Sequence, residues 1–76
     1  MSEIILEEVR HIDYVVSQNL RKRRLKLGLT QQNIASVIGV SVQQVQKYET
    51  SVNRISSGKL YKIANFLNVP ISFFFP

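Results

Sequence analysis

The run GLTQQNIASVIGVSVQQVQKYET (residues 28–50) holds two short helical segments separated by glycine, and its reading decides the fold. Thr30 has the chemistry of an N-cap, and Ile34, Ala35 and Ile38 follow at helical spacing before Gly39 supplies a left-handed stop. Only Val40 and Ser41 then intervene before a further segment, Val42 to Thr50. Ser41 followed by Gln44 has the form of a capping box, in which the hydroxyl and the third-position amide each satisfy a backbone donor. Two helices joined through Gly39, Val40 and Ser41 make a tight three-residue turn, the geometry that lets the second helix of a pair project outward.

Upstream, an amphipathic segment runs from Asp13, a candidate N-cap, through Val16, Leu20 and Leu27 to a stop at Gly28. Downstream, Ser56 can cap a helix whose Leu60, Ile63, Ala64 and Leu67 keep a strict i, i+3, i+4, i+7 stripe, with Asn68 taking the left-handed position after it. Pro70 opens one last turn, Ile71 to Phe75. Strand periodicity is absent. The pattern predicts an all-α fold, a compact bundle of four to five helices around a central helix-turn-helix. Residues 13–76 form that domain, behind an acidic and apolar arm of residues 1–12. Ile5, Val9 and Ile12 have helical spacing, so the arm is expected to add a helical turn or two, packed on the body or on a partner.

With 76 residues the chain forms one modest core and has no room for a spacious active-site cavity. It has no cysteine, which removes disulfides, thiolate zinc sites and thiol chemistry and suits a reducing cytoplasm. No stretch approaches the roughly 20 apolar residues of a membrane span, and Met1-Ser2-Glu3 lacks the basic start of a signal peptide. A cytoplasmic location is the expectation. His11 has no ligand-spaced neighbours, and no nucleophile and base fall together, so no metal, cofactor, small-molecule ligand or enzyme activity is expected.

Charge is unevenly spread. Residues 1–13 carry Glu3, Glu7, Glu8 and Asp13 against Arg10, a net of −3, whereas residues 14–76 carry nine Lys or Arg against Glu49, a net of +8. A basic body of this kind concentrates polyanions near itself, nucleic acid first and anionic membrane second. The run Arg21-Lys22-Arg23-Arg24-Lys26 points in several directions on a helix and reads mostly as a solvated face.

The segment from Val42 decides between those partners. With Val45 and Tyr48 turned inward, 100° per residue places Gln43, Lys47 and Thr50 outward, flanked by Val42, Gln44 and Gln46. Glutamine can pair with adenine through two bonds, lysine can donate to guanine, and valine can meet a thymine methyl. The helix has no outward acid to repel phosphate.

Leu27-Gly28-Leu29-Thr30-Gln31-Gln32-Asn33-Ile34-Ala35, then Ile38-Gly39-Val40-Ser41, Val45, Tyr48-Glu49, Leu60, Ile63-Ala64 and Leu67-Asn68-Val69 strongly resemble the Cro/repressor-type (XRE) helix-turn-helix family, with a lambda-repressor-like fold. The resemblance spans residues 13–75 and implies a bacterial transcriptional regulator. Such a protein would act as a repressor binding double-stranded DNA in the major groove, as a homodimer on a palindromic operator. It implies base contacts from Val42, Gln43, Gln46 and Lys47, and phosphate contacts from Gln31, Gln44, Asn53, Arg54 and Lys59. It also implies an ion pair between Arg24 and Glu49, which fits the charge count, since the body's single acid needs a partner if buried. Ile71, Phe73 and Phe75 are the expected dimer interface, with Phe74 completing the core. Ser51 stands where the family usually has glycine, so the loop from Thr50 to Asn53 is expected to leave the usual path. The alternative is an antitoxin or other interaction module that also binds its own operator, for which the arm is the supporting feature.

Overall fold

A computed structural model describes residues 2–76. Among these the chain is entirely helical: α1 (Glu3–Lys26), α2 (Gln31–Ile38), α3 (Val42–Glu49), α4 (Ser57–Phe66) and a 3₁₀ turn (Ile71–Phe74). α2 packs on both α3 and α4, while α1 lies across α3 and the 3₁₀ turn.

The first helix is longer than its sequence pattern suggested. It starts at Ser2, whose Oγ accepts from the Ile5 N–H at 3.2 Å, so Asp13 is not its cap but sits in mid-helix. The reason is local: no glycine or proline interrupts residues 3–26, and a helix once nucleated propagates. Division of the chain at residue 13 therefore falls inside one continuous helix. Its 24 residues span about 36 Å at 1.5 Å per residue, close to the 38 Å longest extent of the molecule.

Caps mark the other starts. Thr30 and Asn33 exchange bonds at 3.1 and 2.8 Å, a complete capping box at α2. At α3 only half of the expected box forms, because Ser41 Oγ accepts from the Gln44 N–H at 3.1 Å but the Gln44 amide turns away to Asn53. Ser56 Oγ caps α4 by accepting from the Lys59 N–H.

Left-handed residues end all four helices. Gly39 takes φ 69° between α2 and α3, a backbone that costs glycine nothing. At the end of α3 Ser51 takes φ 62°, so the loop keeps the glycine-type path and the expected detour does not occur. Two bonds hold it there, from the Val52 N–H to the Lys47 carbonyl at 2.9 Å and from the Ser51 N–H to the Tyr48 carbonyl at 3.4 Å. This paired closure absorbs the penalty of the Ser51 Cβ.

Leu20, Ile34, Val45, Ile63, Leu67 and Phe74 are the largest fully buried side chains, so every helix and the 3₁₀ turn contribute to one core. Each such burial contributes about 1.5–3 kcal/mol. Polar pegs fix the C-terminal turn against α1: Asn19 Nδ2 donates to the Phe74 carbonyl at 2.9 Å. Arg23 Nε donates to the Leu67 carbonyl at 3.1 Å, so this member of the basic run closes the end of α4 instead of lying in solvent.

Candidate nucleic-acid interface

Val45 and Tyr48 bury one side of α3, and the opposite side faces solvent. Gln43, Gln46 and Lys47 are exposed on it and Val42 and Gln44 are half-buried at its margins. The helix's one acid, Glu49, points back into the domain and is 2 % exposed. The outward surface therefore presents amide and ammonium donors with no carboxylate among them.

Glu49 is held by three donor atoms, two from Arg24 of α1 and one from Gln31 of α2. Arg24 Nε donates to its Oε2 at 2.7 Å and Arg24 Nη2 to its Oε1 at 2.8 Å, a two-bond fork from α1 to α3. Arg24 Nη1 donates onward to the Leu29 carbonyl at 2.9 Å, and Gln31 Nε2 reaches Glu49 Oε1 at 3.1 Å. The bonds to Glu49 push the Arg24 pKa above its ordinary value, outweighing the opposing effect of burial. The pair is electrically neutral, so the basic character of the surface comes from the remaining cations. Planar fork geometry also sets the rotation of α3 about its own axis, and with it the direction in which Gln43 and Lys47 point.

The residues expected at phosphates fall into three places. Gln31, at the start of α2, is half-buried and spends one amide proton on Glu49, which leaves the other for an outside acceptor. Gln44 donates to Asn53 Oδ1 at 3.1 Å, joining the first turn of α3 to the loop after it. Lys59 lies half-buried in the first turn of α4. Arg54 is turned elsewhere: its Nε lies 3.4 Å from Asp13 Oδ2 on α1, although its side chain is 76 % exposed. Exposed pairs of this kind hold by at most about 1 kcal/mol, so Arg54 is free to change partner. Ile71, Phe73 and Phe75 are about two-fifths exposed, and Ile71 and Phe75 line a cleft shared with Asn53 and Arg54.

Sequence reasoning missed three of these contacts. Gln31 to Glu49, Arg23 to Leu67 and Arg54 to Asp13 each join residues 18 or more apart in the chain, so no local spacing announces them. The resemblance and the acid count pointed to Arg24 as a partner for Glu49, but neither pointed to Gln31. Among the described residues no helix is long and apolar enough to cross a membrane.

The family model for helix-turn-helix proteins matches residues 20–74. The chain is 49 % identical over 75 residues to a protein of Rhodospirillum rubrum named as an uncharacterized transcriptional regulator in the ATPase CF(0) region, covering 99 % of this chain and 69 % of that protein. It is 44 % identical over 64 residues to an uncharacterized HTH-type transcriptional regulator of Sinorhizobium medicae, covering 84 % of this chain and 46 % of the relative, so it spans only part of each. Among solved structures, the restriction-modification controller protein C.AhdI from Aeromonas hydrophila superposes with a TM-score of 0.75 at 26 % identity, covering 82 % of this chain and 94 % of that one. The capped pair α2 and α3, the buried Arg24–Glu49 fork behind it and these matches agree: the chain belongs to the Cro/repressor-type helix-turn-helix family.

Proposed function

We propose that this chain binds duplex DNA in a sequence-specific manner as a cytoplasmic transcriptional regulator, laying α3 in the major groove. The observation that carries this reading is the outward face of α3, which is exposed, rich in donors and free of acids because Glu49 is buried against Arg24. Val42, Gln43, Gln46 and Lys47 meet base edges. Gln31, Gln44, Asn53, Arg54 and Lys59 meet phosphates on either side, positioning the helix without reading sequence. The names of the relatives, all transcriptional regulators, support the reading.

In its finer form the proposal is a repressor that binds a palindromic operator as a homodimer, with two recognition helices in successive major grooves about 34 Å apart. A single module of this size makes few base contacts, so pairing is what supplies specificity. The exposed trio Ile71, Phe73 and Phe75 is the apolar surface assigned to that pairing. Selection of bound duplexes from a random pool tests both levels. An enriched inverted repeat supports the dimeric operator, an enriched single half-site supports binding without it, and no enrichment rejects specific binding.

A further inference from the structure

The phosphate contacts proposed above all lie at or after Gln31, yet α1 carries a further cation toward the same side of the domain. Arg10, Ser17 and Arg24 follow one another at steps of seven, two helical turns each, so they lie along nearly one line of α1. Arg24 fixes where that line points, because its guanidinium meets Glu49 at the end of α3. Ser17, midway, is buried, its hydroxyl donating to the Tyr14 carbonyl at 2.7 Å. Two turns further out, Arg10 emerges from the same side of the helix into solvent.

Its side chain meets the loop that follows the recognition helix. Arg10 and Asp13 of α1, with Ser51, Val52 and Arg54 of the α3–α4 loop, wall one open cleft of about 360 Å³. Asp13 Oδ2 is already engaged by Arg54 Nε at 3.4 Å, and Arg10 takes part in neither of the ion pairs found among the described residues. Two guanidiniums against one carboxylate leave the cleft a net charge of +1. The ligand that suits it is an anion.

A guanidinium presents planar forks of N–H donors that match phosphate oxygens. Arg54 is assigned above to a DNA phosphate, so a phosphate that draws it off Asp13 comes to the cleft that Arg10 also walls. We propose that Arg10 is a further phosphate-contacting residue, meeting the DNA backbone beside Arg54 and extending the contacted strand along α1, beyond the helix-turn-helix itself. The inference rests on the DNA-binding reading above. It depends on the length of α1, which runs unbroken from Glu3 and so carries Arg10 on a rigid support. The favourable stretch ends there: Glu7 lies one turn before Arg10 and Glu3 two turns before it, and neither walls the cleft.

The test is fluorescence anisotropy of the full chain on a preferred and a random-sequence duplex at several salt concentrations, with thermal unfolding of each variant to confirm its fold. Arg10→Gln should weaken binding to both duplexes by the same factor, roughly threefold to tenfold, and lower the slope of log affinity against log salt by about 1. Arg10→Lys keeps the charge and should keep the slope. Lys22→Gln is the control, since it removes the same charge from an exposed site about 120° around α1 from Arg10 and away from the cleft. It should leave the slope nearly as it is. Equal effects from Arg10→Gln and Lys22→Gln reduce Arg10 to general attraction and overturn the inference, as does a loss confined to the preferred duplex. A parent that binds no duplex rejects the DNA reading together with this one, whereas a parent that binds and an Arg10→Gln that binds equally well, with the same slope, reject the role of Arg10 alone.

Discussion

Arg24 and Glu49, 25 residues apart, meet through two bonds of 2.7 and 2.8 Å with only 7 % and 2 % of the residues exposed. Replacing Arg24 by alanine leaves Glu49 buried without its cation, a change that costs about 3–5 kcal/mol. A domain of this size has little more than that in total stability, so Arg24→Ala should be largely unfolded at room temperature. Chemical denaturation monitored by helical circular dichroism measures this. A loss under 1 kcal/mol would show that the fork is not needed to hold α1 on α3.

The same pair predicts a pH profile. Arg24 has a raised pKa in the folded state, so its contribution is fully present below the ordinary guanidinium value and is lost only as pH climbs through the still higher folded value. Stability from this pair is therefore constant through the neutral and moderately basic range. Arg24→Lys moves the transition into reach, because lysine titrates near 10.4 when unfolded. The variant should lose stability above about that pH, and comparing the two proteins by urea denaturation at several basic pH values isolates the effect.

Ser51 holds φ 62°, a conformation that disfavours any side chain with a Cβ. Ser51→Gly should stabilise the domain by about 1 kcal/mol, raising the melting temperature by roughly 4–8 °C. Because the backbone already follows the glycine path, affinity for DNA should not change. Calorimetry and a binding titration on the same sample check both halves of the statement.

What made the fold legible was punctuation. Thr30, Ser41 and Ser56 begin helices, and Gly28, Gly39 and Asn68 end them, each through bonds within a few residues of itself. Asp13 was misread for the same reason, since an acid before an apolar residue has the form of a cap whether or not a helix already runs through it. The outward face of α3 was legible from periodicity alone. Contacts such as Arg54 with Asp13 were not, because they depend on how the α3–α4 loop returns to α1, and that is a property of packing. Gln44 shows the conflict within one residue: its sequence position suits a capping box, yet its amide bonds Asn53 nine residues later.

The proposed division of labour on DNA separates two kinds of variant. Lys47→Ala should cost about 1–3 kcal/mol on the preferred duplex and relax preference at one base pair. Asn53→Ala removes the Gln44 partner as well as a phosphate contact, so it should weaken preferred and random duplexes alike. Fluorescence anisotropy on both kinds of duplex distinguishes them. Equal losses from Lys47→Ala on the two would remove Lys47 from the base-reading set.

Asp13 and Arg54 provide the last prediction. Arg54 is assigned to a phosphate, yet without DNA its Nε lies 3.4 Å from the Asp13 carboxylate, so binding must replace one anion by another. The carboxylate is an internal competitor for the phosphate. Asp13→Asn should therefore tighten DNA binding, by less than tenfold because an exposed pair is worth at most about 1 kcal/mol. Arg54→Ala should weaken binding and lower the slope of log affinity against log salt by about 1. The double variant should bind like Arg54→Ala, since Asp13 acts only through Arg54. If Asp13→Asn tightens binding equally with and without Arg54, the aspartate acts by general repulsion of the DNA, and the competition between carboxylate and phosphate is rejected.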